Sequence, residues 1–335
     1  MIRILVCFVT LFLSVVPVKA RTVELMLSPA KAPEPVKKYH LLPQADEQTD
    51  SDAVPLYEKV VQSLPDDSQI TQMREWLETP PDKLPLQQLQ STLDKLKSTL
   101  QLIEQATKCK ECNWPPFNRE TISDNLTKYR KLSFIVAVQV RAQIAQRQYD
   151  QAISTIRNGF AMARQNGVAS NLIQSLVGVS IAGLMCRQLE QFVQVPDAPN
   201  LYWALQSLPR PLIDLNKQIE LEVANLKKQK DPLLRRQQEE QLKPSHDRVR
   251  VIMRRLDRDV AALQCVEAIR LYAGKHNGKF PDELSQITDL HVPDNPFDQK
   301  PFVYRKTGSK ATLEAPAPEG GTDKDALRYE LNLKE

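Results

Sequence analysis

Three short patterns in this chain could together form a serine acyl-transfer site. Ser28 and Lys31 stand three residues apart, Ser123-Asp124-Asn125 follows, and Lys306-Thr307-Gly308 lies near the C-terminal end. In such chemistry the lysine amine activates a serine hydroxyl one helical turn away, so the pair must lie on a buried helix. The value of the match therefore depends on which elements carry these residues.

The three patterns occur in the order found in penicillin-binding enzymes, but their local context argues against that chemistry. Pro29 and the prolines around it predict that Ser28 and Lys31 lie in an irregular leader. Ser123 and Asp124 are typical of a helix N-cap, where short side-chain oxygens accept the first free amide hydrogens. Lys306-Thr307-Gly308 is typical of a hairpin turn. We therefore predict no catalytic residue in this chain.

Cys109 and Cys112 form a Cys-x-x-Cys pattern that a disulfide, a redox pair or a half zinc site would each explain. Zinc sites use four ligands from paired motifs, whereas Cys186 and Cys265 stand alone with no histidine at ligand spacing. Thioredoxin-type chemistry needs the pair at the start of a helix, but Pro115-Pro116 follows it here. The sequence favours a Cys109–Cys112 disulfide, with Cys186–Cys265 as an alternative pair, and it indicates no cofactor or metal.

The other chemistry-bearing side chains are scattered or balanced by opposite charge. The four histidines, which we expect at the surface or in turns, are His40, His246, His276 and His291. Five arginines crowd a later helix, namely Arg248, Arg250, Arg254, Arg255 and Arg258. They could contact nucleic acid or another anionic surface. Because aspartates interleave them, we favour a solvated face with ion pairs one turn apart and expect no nucleic-acid partner.

Composition limits the fold classes. The chain has 335 residues, 45 basic and 41 acidic, with a formal net charge of +4 and only 9 glycines. Glycine-rich phosphate loops need more glycine than this, so a nucleotide-binding fold is disfavoured. A 26% charged and 41% hydrophobic content is typical of a globular protein.

The first twenty residues predict export. Arg3 precedes the apolar run 4–16, and Ala20 stands where a signal peptidase would cut. Cleavage after Ala20 would also remove Cys7. A retained anchor is the alternative, but the run is shorter than the roughly 20 residues that span a bilayer. We expect a secreted or periplasmic protein without a membrane span after signal removal.

The remaining chain predicts a mainly α protein with an α+β tail. A Pro-rich leader (21–52), which we expect to pack little, precedes a helical domain (53–244). A long helix with a small antiparallel β-sheet follows (245–335), and helix breaks are predicted near Pro232 and Pro244. The helical bundle contains a tetratricopeptide-like hairpin over 123–146 and 149–165 and a buried central helix over 172–193. In that central helix, Gly178 and Gly183 would allow neighbouring helices to approach closely.

The tail resembles the C-terminal half of type II secretion major pseudopilins. The residues that carry the resemblance are Ala268-Ile269-Arg270-Leu271-Tyr272, His276-Asn277-Gly278-Lys279-Phe280-Pro281, Asn295-Pro296-Phe297 and Lys300-Pro301-Phe302-Val303-Tyr304. Phe280, Asn295 and Gln299 stand where that family has a tyrosine, an aspartate and a glycine. The resemblance implies a helix end, a tight corner and a proline-held loop before the first strand. In this tail we expect Phe297 and Phe302 to be buried against Leu263, Ile269 and Leu271. We expect a docking or structural module here, not a filament subunit.

The mature chain as a whole is similar to secreted planctomycete proteins without assigned activity. This likeness rests on Asp52-Ala53-Val54-Pro55-Leu56-Tyr57, Cys112-Asn113-Trp114, Tyr149-Asp150-Gln151-Ala152, Asn200-Leu201-Tyr202-Trp203-Ala204-Leu205 and Leu208-Pro209-Arg210-Pro211. It implies no reaction. The sequence therefore favours an exported, non-catalytic interaction or scaffold protein with an unknown protein partner in the cell envelope. A cell-envelope hydrolase, or another enzyme with an unrecognised site, is the alternative.

Overall fold

The computed structural model describes residues 21–33, 38–115, 122–228, 230–318 and 321–334. The predicted signal peptide, its cleavage site after Ala20, and Cys7 lie outside these residues. The described helices are α1 (Val54–Gln62), α2 (Asp67–Glu78), α3 (Leu86–Lys95), α4 (Lys97–Thr107), α5 (Ile122–Ala145), α6 (Tyr149–Gly167), α7 (Leu172–Phe192), α8 (Tyr202–Gln206), α9 (Asn216–Lys227) and α10 (Pro232–Lys275). The described strands are β1 (Arg21–Leu27), β2 (Thr49–Asp52), β3 (Cys109–Glu111), β4 (Asp294–Asn295), β5 (Lys300–Pro301), β6 (Val303–Thr307), β7 (Lys310–Ala315) and β8 (Leu327–Leu333). This mainly helical layout with a small C-terminal sheet confirms the predicted fold class.

Helices α1 to α7 surround the first of two apolar cores. Helices α5 and α6 form the predicted hairpin, and Arg147 makes its turn with a left-handed φ of 58°. Helix α7 packs against both. Its side chains are buried around most of its circumference, as its continuous apolar sequence predicts. The hairpin is therefore present, while its likeness to a tetratricopeptide unit stays a prediction.

The two glycines of α7 have different surroundings. A Cβ atom on Gly178 would lie 2.4 Å from the carbonyl oxygen of Ala163, so only glycine allows α6 and α7 to come this close. A Cβ atom on Gly183 would meet nothing within 4 Å. The predicted close approach is confirmed at Gly178 and wrong at Gly183.

Helix α10 is longer than predicted. It begins at Pro232, whose missing N–H suits the first turn, and Asp231 caps it by accepting from the amides of Leu233 and Leu234. The predicted break near Pro244 is wrong, because this exposed proline lies inside the continuous helix. One lost backbone bond costs about 3 kcal/mol. Packing contacts made by the other turns of this 44-residue helix offset that loss of stability.

Helix α10 also crosses the predicted domain boundary between residues 244 and 245. One set of its side chains, including Val249 and Leu256, belongs to the helical core. Another set, including Val266 and Ile269, belongs to a second core under the tail sheet. The helical body and the tail therefore share this one helix.

The tail sheet has the strand order β1-β8-β7-β6. Strands β6, β7 and β8 are antiparallel, and Gly308 turns the β6–β7 hairpin with a φ of 61°. These three strands confirm the predicted sheet. The fourth strand, β1, pairs in parallel with β8, from Arg21 beside Leu327 to Leu27 beside Leu333.

The prediction that the leader 21–52 packs little is wrong. Leu25 and Leu27 are fully buried under the sheet, and Leu41 is fully buried in the helical core. Strand β2, at the end of this stretch, pairs with β3. Val23, Leu25 and Leu27 alternate with polar or exposed residues, which is the period of a strand. The prolines that follow this short alternation predict an irregular leader and therefore favoured the wrong interpretation.

The corner after α10 agrees with the expectations for the tail. Asn277 and Gly278 take left-handed φ values of 53° and 69° just beyond the helix. Phe280 and Phe302 are buried in the second core with Ile269. Leu263, expected in the same cluster, lies in the helical core instead. Phe297, also expected to be buried, is half-buried with the guanidinium of Arg258 5.8 Å from its ring.

Candidate functional site

The structure does not assemble the serine acyl-transfer patterns. Ser28 follows β1 outside any helix, and its hydroxyl donates to the carbonyl oxygen of Gln194. Lys306 lies on β6, three strands from β1, which corresponds to roughly 14 Å at the usual strand spacing. Ser123 lies in the first turn of α5. These residues therefore occupy three separate parts of the fold.

The four described cysteines are free thiols, so the structure contains neither predicted disulfide. Cys109 is buried, where its sulfur accepts from the Ser51 hydroxyl and donates to the carbonyl oxygen of Gln105. Burial and the charge of Asp52 raise the pKa of Cys112 to about 12, which keeps it protonated. The Cys109 side chain thus points into the protein interior and contacts Ser51 and Gln105, not Cys112. The observed local contacts hold β3 without a covalent bond.

The thiols on the two long buried helices are also protonated. Burial raises the pKa of Cys186 on α7 well above its usual value. Burial likewise raises the pKa of Cys265 on α10, whose sulfur lies 3.5 Å from the carbonyl oxygen of Pro293. A protonated, buried thiol is a poor nucleophile. We therefore assign neither cysteine a reactive role.

Histidines follow the surface expectation except at one position. His276 and His291 are exposed, whereas His40 is half-buried. His246, by contrast, is buried and lies 2.9 Å from the Glu222 carboxylate, which joins α10 to α9. Within the described residues no group of three or more His, Cys, Asp or Glu side chains could hold a metal ion.

Three of the five clustered arginines contact one acidic residue in the tail, two through its carboxylate and one through its main-chain oxygen. Arg248 lies 2.6 Å and Arg255 3.2 Å from the two oxygens of Asp325, and Arg258 donates to its main-chain carbonyl oxygen. Arg258 is completely buried. The expected solvated face is therefore wrong for these three residues, while Arg250 does pair locally with Asp247. Asp325 lies about seventy residues away in sequence, so helical spacing gave no sign of it.

A second buried carboxylate lies beside this arginine cluster. The Nη2 atom of Arg21 lies 2.6 Å from both carboxylate oxygens of Glu190 on α7, and the Tyr329 hydroxyl donates to the same carboxylate at 2.8 Å. Asp259 lies 3.7 Å from Arg21 and 2.6 Å from Arg258, so it connects the two groups. We call these residues the buried ionic network. It joins β1, α7, α10 and β8.

The pKa values in this network reflect opposing effects of burial and charge. Burial raises the pKa of Glu190, and the charge of Arg21 opposes the increase. Burial also acts on Asp325, but the bonds from Arg248 and Thr322 outweigh it and lower the pKa of Asp325 to about 2. Burial, with the negative charge of Glu190, raises the pKa of Tyr329 well above its usual value. Tyr329 is therefore a hydrogen-bond donor at neutral pH and not a base.

A separate buried pair fixes the chain that follows β1. Arg270 lies 2.7 Å from Glu267, and its remaining donors bind the carbonyl oxygens of Ser28 and Ala198. Glu267 in turn accepts from the amide of Leu201. Both side chains are almost completely buried. The pair therefore positions backbone segments, which is a structural role.

These charged groups are turned toward one another, and the carboxylates of Glu190 and Asp325 are almost completely buried. The described surface does have an open groove of about 740 Å³, but its lining comes from α3 and Gln146, far in sequence from the network. That lining is mainly exposed polar side chains such as Gln87 and Gln90. The observed chemistry of the network is thus ion pairing between elements, and none of its residues lines this groove.

A two-helix arm, residues 216–248, presents a different kind of surface. It consists of α9 and the first part of α10, which pack against each other. Its buried residues in the described part are Gln218, Ile219, Gln238 and His246. Beyond Ile219, none of its Leu or Val side chains belongs to either apolar core. The arm is therefore held mainly by its own helix pairing.

The arm leaves apolar side chains in solvent. Leu221 is 40% exposed and Leu233 is 81% exposed, whereas the remaining ones, Val223, Leu226, Leu234 and Leu242, are half-buried. Gln238 is the first buried residue of α10, so residues 232–237 extend past the part of α10 that is covered. Sequence analysis missed this surface. The pattern that could have predicted it is the long charged stretch before residue 245, in which a few leucines stand without enough apolar neighbours to form a core.

Within the described residues, one helix has the length and apolar composition to cross a membrane. This is α7, and 61% of its most apolar window is buried inside the protein. Such burial is typical of a core helix.

In comparisons with known proteins, no family model, no curated protein and no solved structure matches this chain.

Proposed function

We propose that this protein is an exported, non-catalytic interaction or scaffold protein and that the arm is its principal interaction surface. The observation that carries the proposal is the exposure of Leu221 and Leu233 on a helix pair outside both cores. Two of the five exposed large apolar side chains in the described residues lie on this helix pair, and exposed apolar surface is typical of interaction sites where it is contiguous. The export part of the proposal rests on Arg3, the apolar run 4–16 and Ala20.

The buried ionic network supports a scaffold role. It joins the first described strand to the central helix, the long helix and the last strand through Arg21, Glu190 and Asp325. A site for chemistry would need such groups to reach a substrate. Here the charged groups pair mainly with one another, so their contribution is to hold the arm-bearing helix α10 on the tail.

We further propose that the tail is a docking or structural module of the pseudopilin-like kind. Gln299 supports this, because it takes a left-handed φ of 55° at the position where the family has glycine. Asn295 supports it as well: it is buried and accepts from the amide of Phe297, a role that an aspartate would also fill. We also propose that the chain is related to secreted planctomycete proteins without assigned activity, and this relation implies no reaction.

Site-directed photo-cross-linking in the native host tests the interaction proposal. A photoreactive residue replaces Leu221 or Leu233 on the arm, and in matched controls it replaces the exposed Gln88 or Lys95 on α3. We expect a discrete cross-linked product from the arm positions, and we expect excess unlabelled protein to compete it away. Absence of any cross-link from the arm, to protein or to lipid, or the same product from α3, would contradict the proposal.

A further inference from the structure

The tip of the arm combines exposed apolar and basic side chains. We define the tip as residues 226–228 and 230–236. Its basic residues are Lys227, Lys228, Lys230, Arg235 and Arg236, and its one acidic residue is Asp231. The tip therefore carries a net charge of +4, equal to that of the entire chain. Positive charge is concentrated at one end of a structure that is otherwise close to neutral.

Most of this charge is available for binding. In the described part of the chain, no carboxylate lies within ion-pairing distance of Lys227, Lys230 or Arg235. Lys228 donates to the Asn225 side chain, which leaves its charge uncompensated. Arg236 has only an exposed pair with Glu240, and such pairs contribute little.

The apolar part of the tip lies among these charges. Leu233, 81% exposed, stands in the first turn of α10, directly after the exposed Pro232. Leu234, the next residue in sequence, and Leu226, near the end of α9, are half-buried. A leucine flanked by lysines and arginines matches the interface of an anionic bilayer, where the apolar group enters the acyl boundary and the cations bind headgroup phosphates.

We propose that the tip docks on an anionic membrane surface, which deepens the proposed function by naming the partner of the arm. Charge complementarity argues against a second copy of this chain, because two tips of the same sign repel each other. Nucleic acid would draw on the basic residues but not on Leu233, and the tip offers no aromatic side chain for stacking on bases. Lipid uses both kinds of side chain.

Vesicle binding by the purified full-length chain tests this proposal. Binding is compared between phosphatidylcholine vesicles and vesicles that also contain about 30% anionic phosphatidylglycerol. The difference between the two lipids reports the tip, because any binding through the apolar run 4–16 is common to both. We expect tight binding only with anionic lipid. We also expect its loss in about 1 M salt, where the screening length is about 3 Å.

Matched variants locate the effect. Removing three charges with Lys227→Gln, Lys228→Gln and Lys230→Gln should lower anionic-vesicle binding on the order of 100-fold, about fivefold per charge. The control Lys59→Gln, Lys95→Gln and Lys97→Gln removes three lysines of the body that are also exposed and should leave binding unchanged. Leu233→Ser should weaken vesicle binding about tenfold, and Val168→Ser, at another exposed apolar position, should not.

Several results would overturn the lipid proposal. These are equal binding to both lipids, equal loss in the tip and body variants, or an unchanged affinity of Leu233→Ser, which would indicate a simple polyanion site. Failure to bind vesicles together with a specific protein cross-link from Leu233 would also overturn it, but would leave the interaction proposal standing. An arm that gives neither result would overturn both.

Discussion

Asp325 is held by three arginines from one helix, and this arrangement has a consequence for acid stability. Arg248 and Thr322 lower its pKa to about 2 in the folded protein, against an ordinary value near 3.8. Its contribution to stability is therefore present above about pH 4 and is lost as the pH falls toward 2. Asp325→Asn should lower the free energy of unfolding at pH 7 by about 2 kcal/mol. Urea titrations across pH should show this difference shrinking below pH 4, and a pH-independent difference would contradict the account.

Asp257 should behave in the opposite way. Burial raises its pKa to about 6, although its carboxylate accepts from the amide of Leu212 at 2.9 Å. The folded state then binds more protons than the unfolded state between about pH 4 and 6, so stability falls as the pH rises through that window. Asp257→Asn, which can keep the acceptor, should remove a pH-dependent loss of up to about 3 kcal/mol. The same urea titrations provide the check, and a variant with the wild-type slope between pH 4 and 6 would show the explanation to be wrong.

Glu190 should be among the most sensitive single residues of the fold. It is almost fully buried and binds Arg21 and Tyr329 together. Glu190→Gln would remove the closer of the two carboxylates beside Arg21 and leave only Asp259 at 3.7 Å, so we expect a loss of about 3 kcal/mol, the lower end for breaking a buried pair. Glu240→Gln, in the exposed pair with Arg236, is the control and should cost at most about 1 kcal/mol. Equal effects of the two variants on chemical denaturation would mean that the buried network does not hold the strand.

At the scale of single elements, the two glycines of α7 provide a matched pair. Gly178→Ala should destabilise the protein, because its Cβ would fall 2.4 Å from a backbone oxygen that cannot move without shifting α6. Gly183→Ala meets open space on the same helix and should stabilise by about 0.5 to 1 kcal/mol. Thermal unfolding of both variants gives the comparison. A Gly178→Ala protein as stable as Gly183→Ala would contradict the close helix approach.

Elements with a long, regular pattern were predictable, and elements that depend on distant partners were not. The α5–α6 hairpin, α7 and the β6–β7 turn follow from periodicity and local turn residues alone. Strand β1 needs β8, about 300 residues later, to satisfy its backbone, so its short alternation was ambiguous in isolation. Pro244 predicted a helix break that does not occur, because the packing of the long helix outweighs the unfavourable helix propensity of one proline.

The candidate site shows the same limit more strongly. Arginines on one helix face suggested local pairs with their neighbours, yet Arg248, Arg255 and Arg258 converge on Asp325. Which carboxylate a cation meets is decided by tertiary packing, which spacing along a helix does not encode. The exposure of the arm's leucines was equally unpredictable, since the sequence alone does not show which apolar residues remain outside the packed cores.

At the scale of the whole molecule, α10 connects three parts with different roles. Its C-terminal half carries the tail core, its middle packs on the helical body, and its N-terminal turns form half of the arm. Binding at the tip would therefore act on the same rigid helix that holds β1 and β8 through the ionic network. This continuity favours a scaffold that fixes two attachment points relative to each other.

Hydrogen–deuterium exchange of the whole chain, with and without membranes from the native envelope, tests the central claim that the arm is the interaction surface. The account predicts slower amide exchange confined to residues 216–248, where the free helices have few tertiary contacts and exchange readily. The tail sheet and α3 should exchange at the same rate in both samples. Slower exchange at the tail sheet or around α3, with the arm unaffected, would contradict the claim.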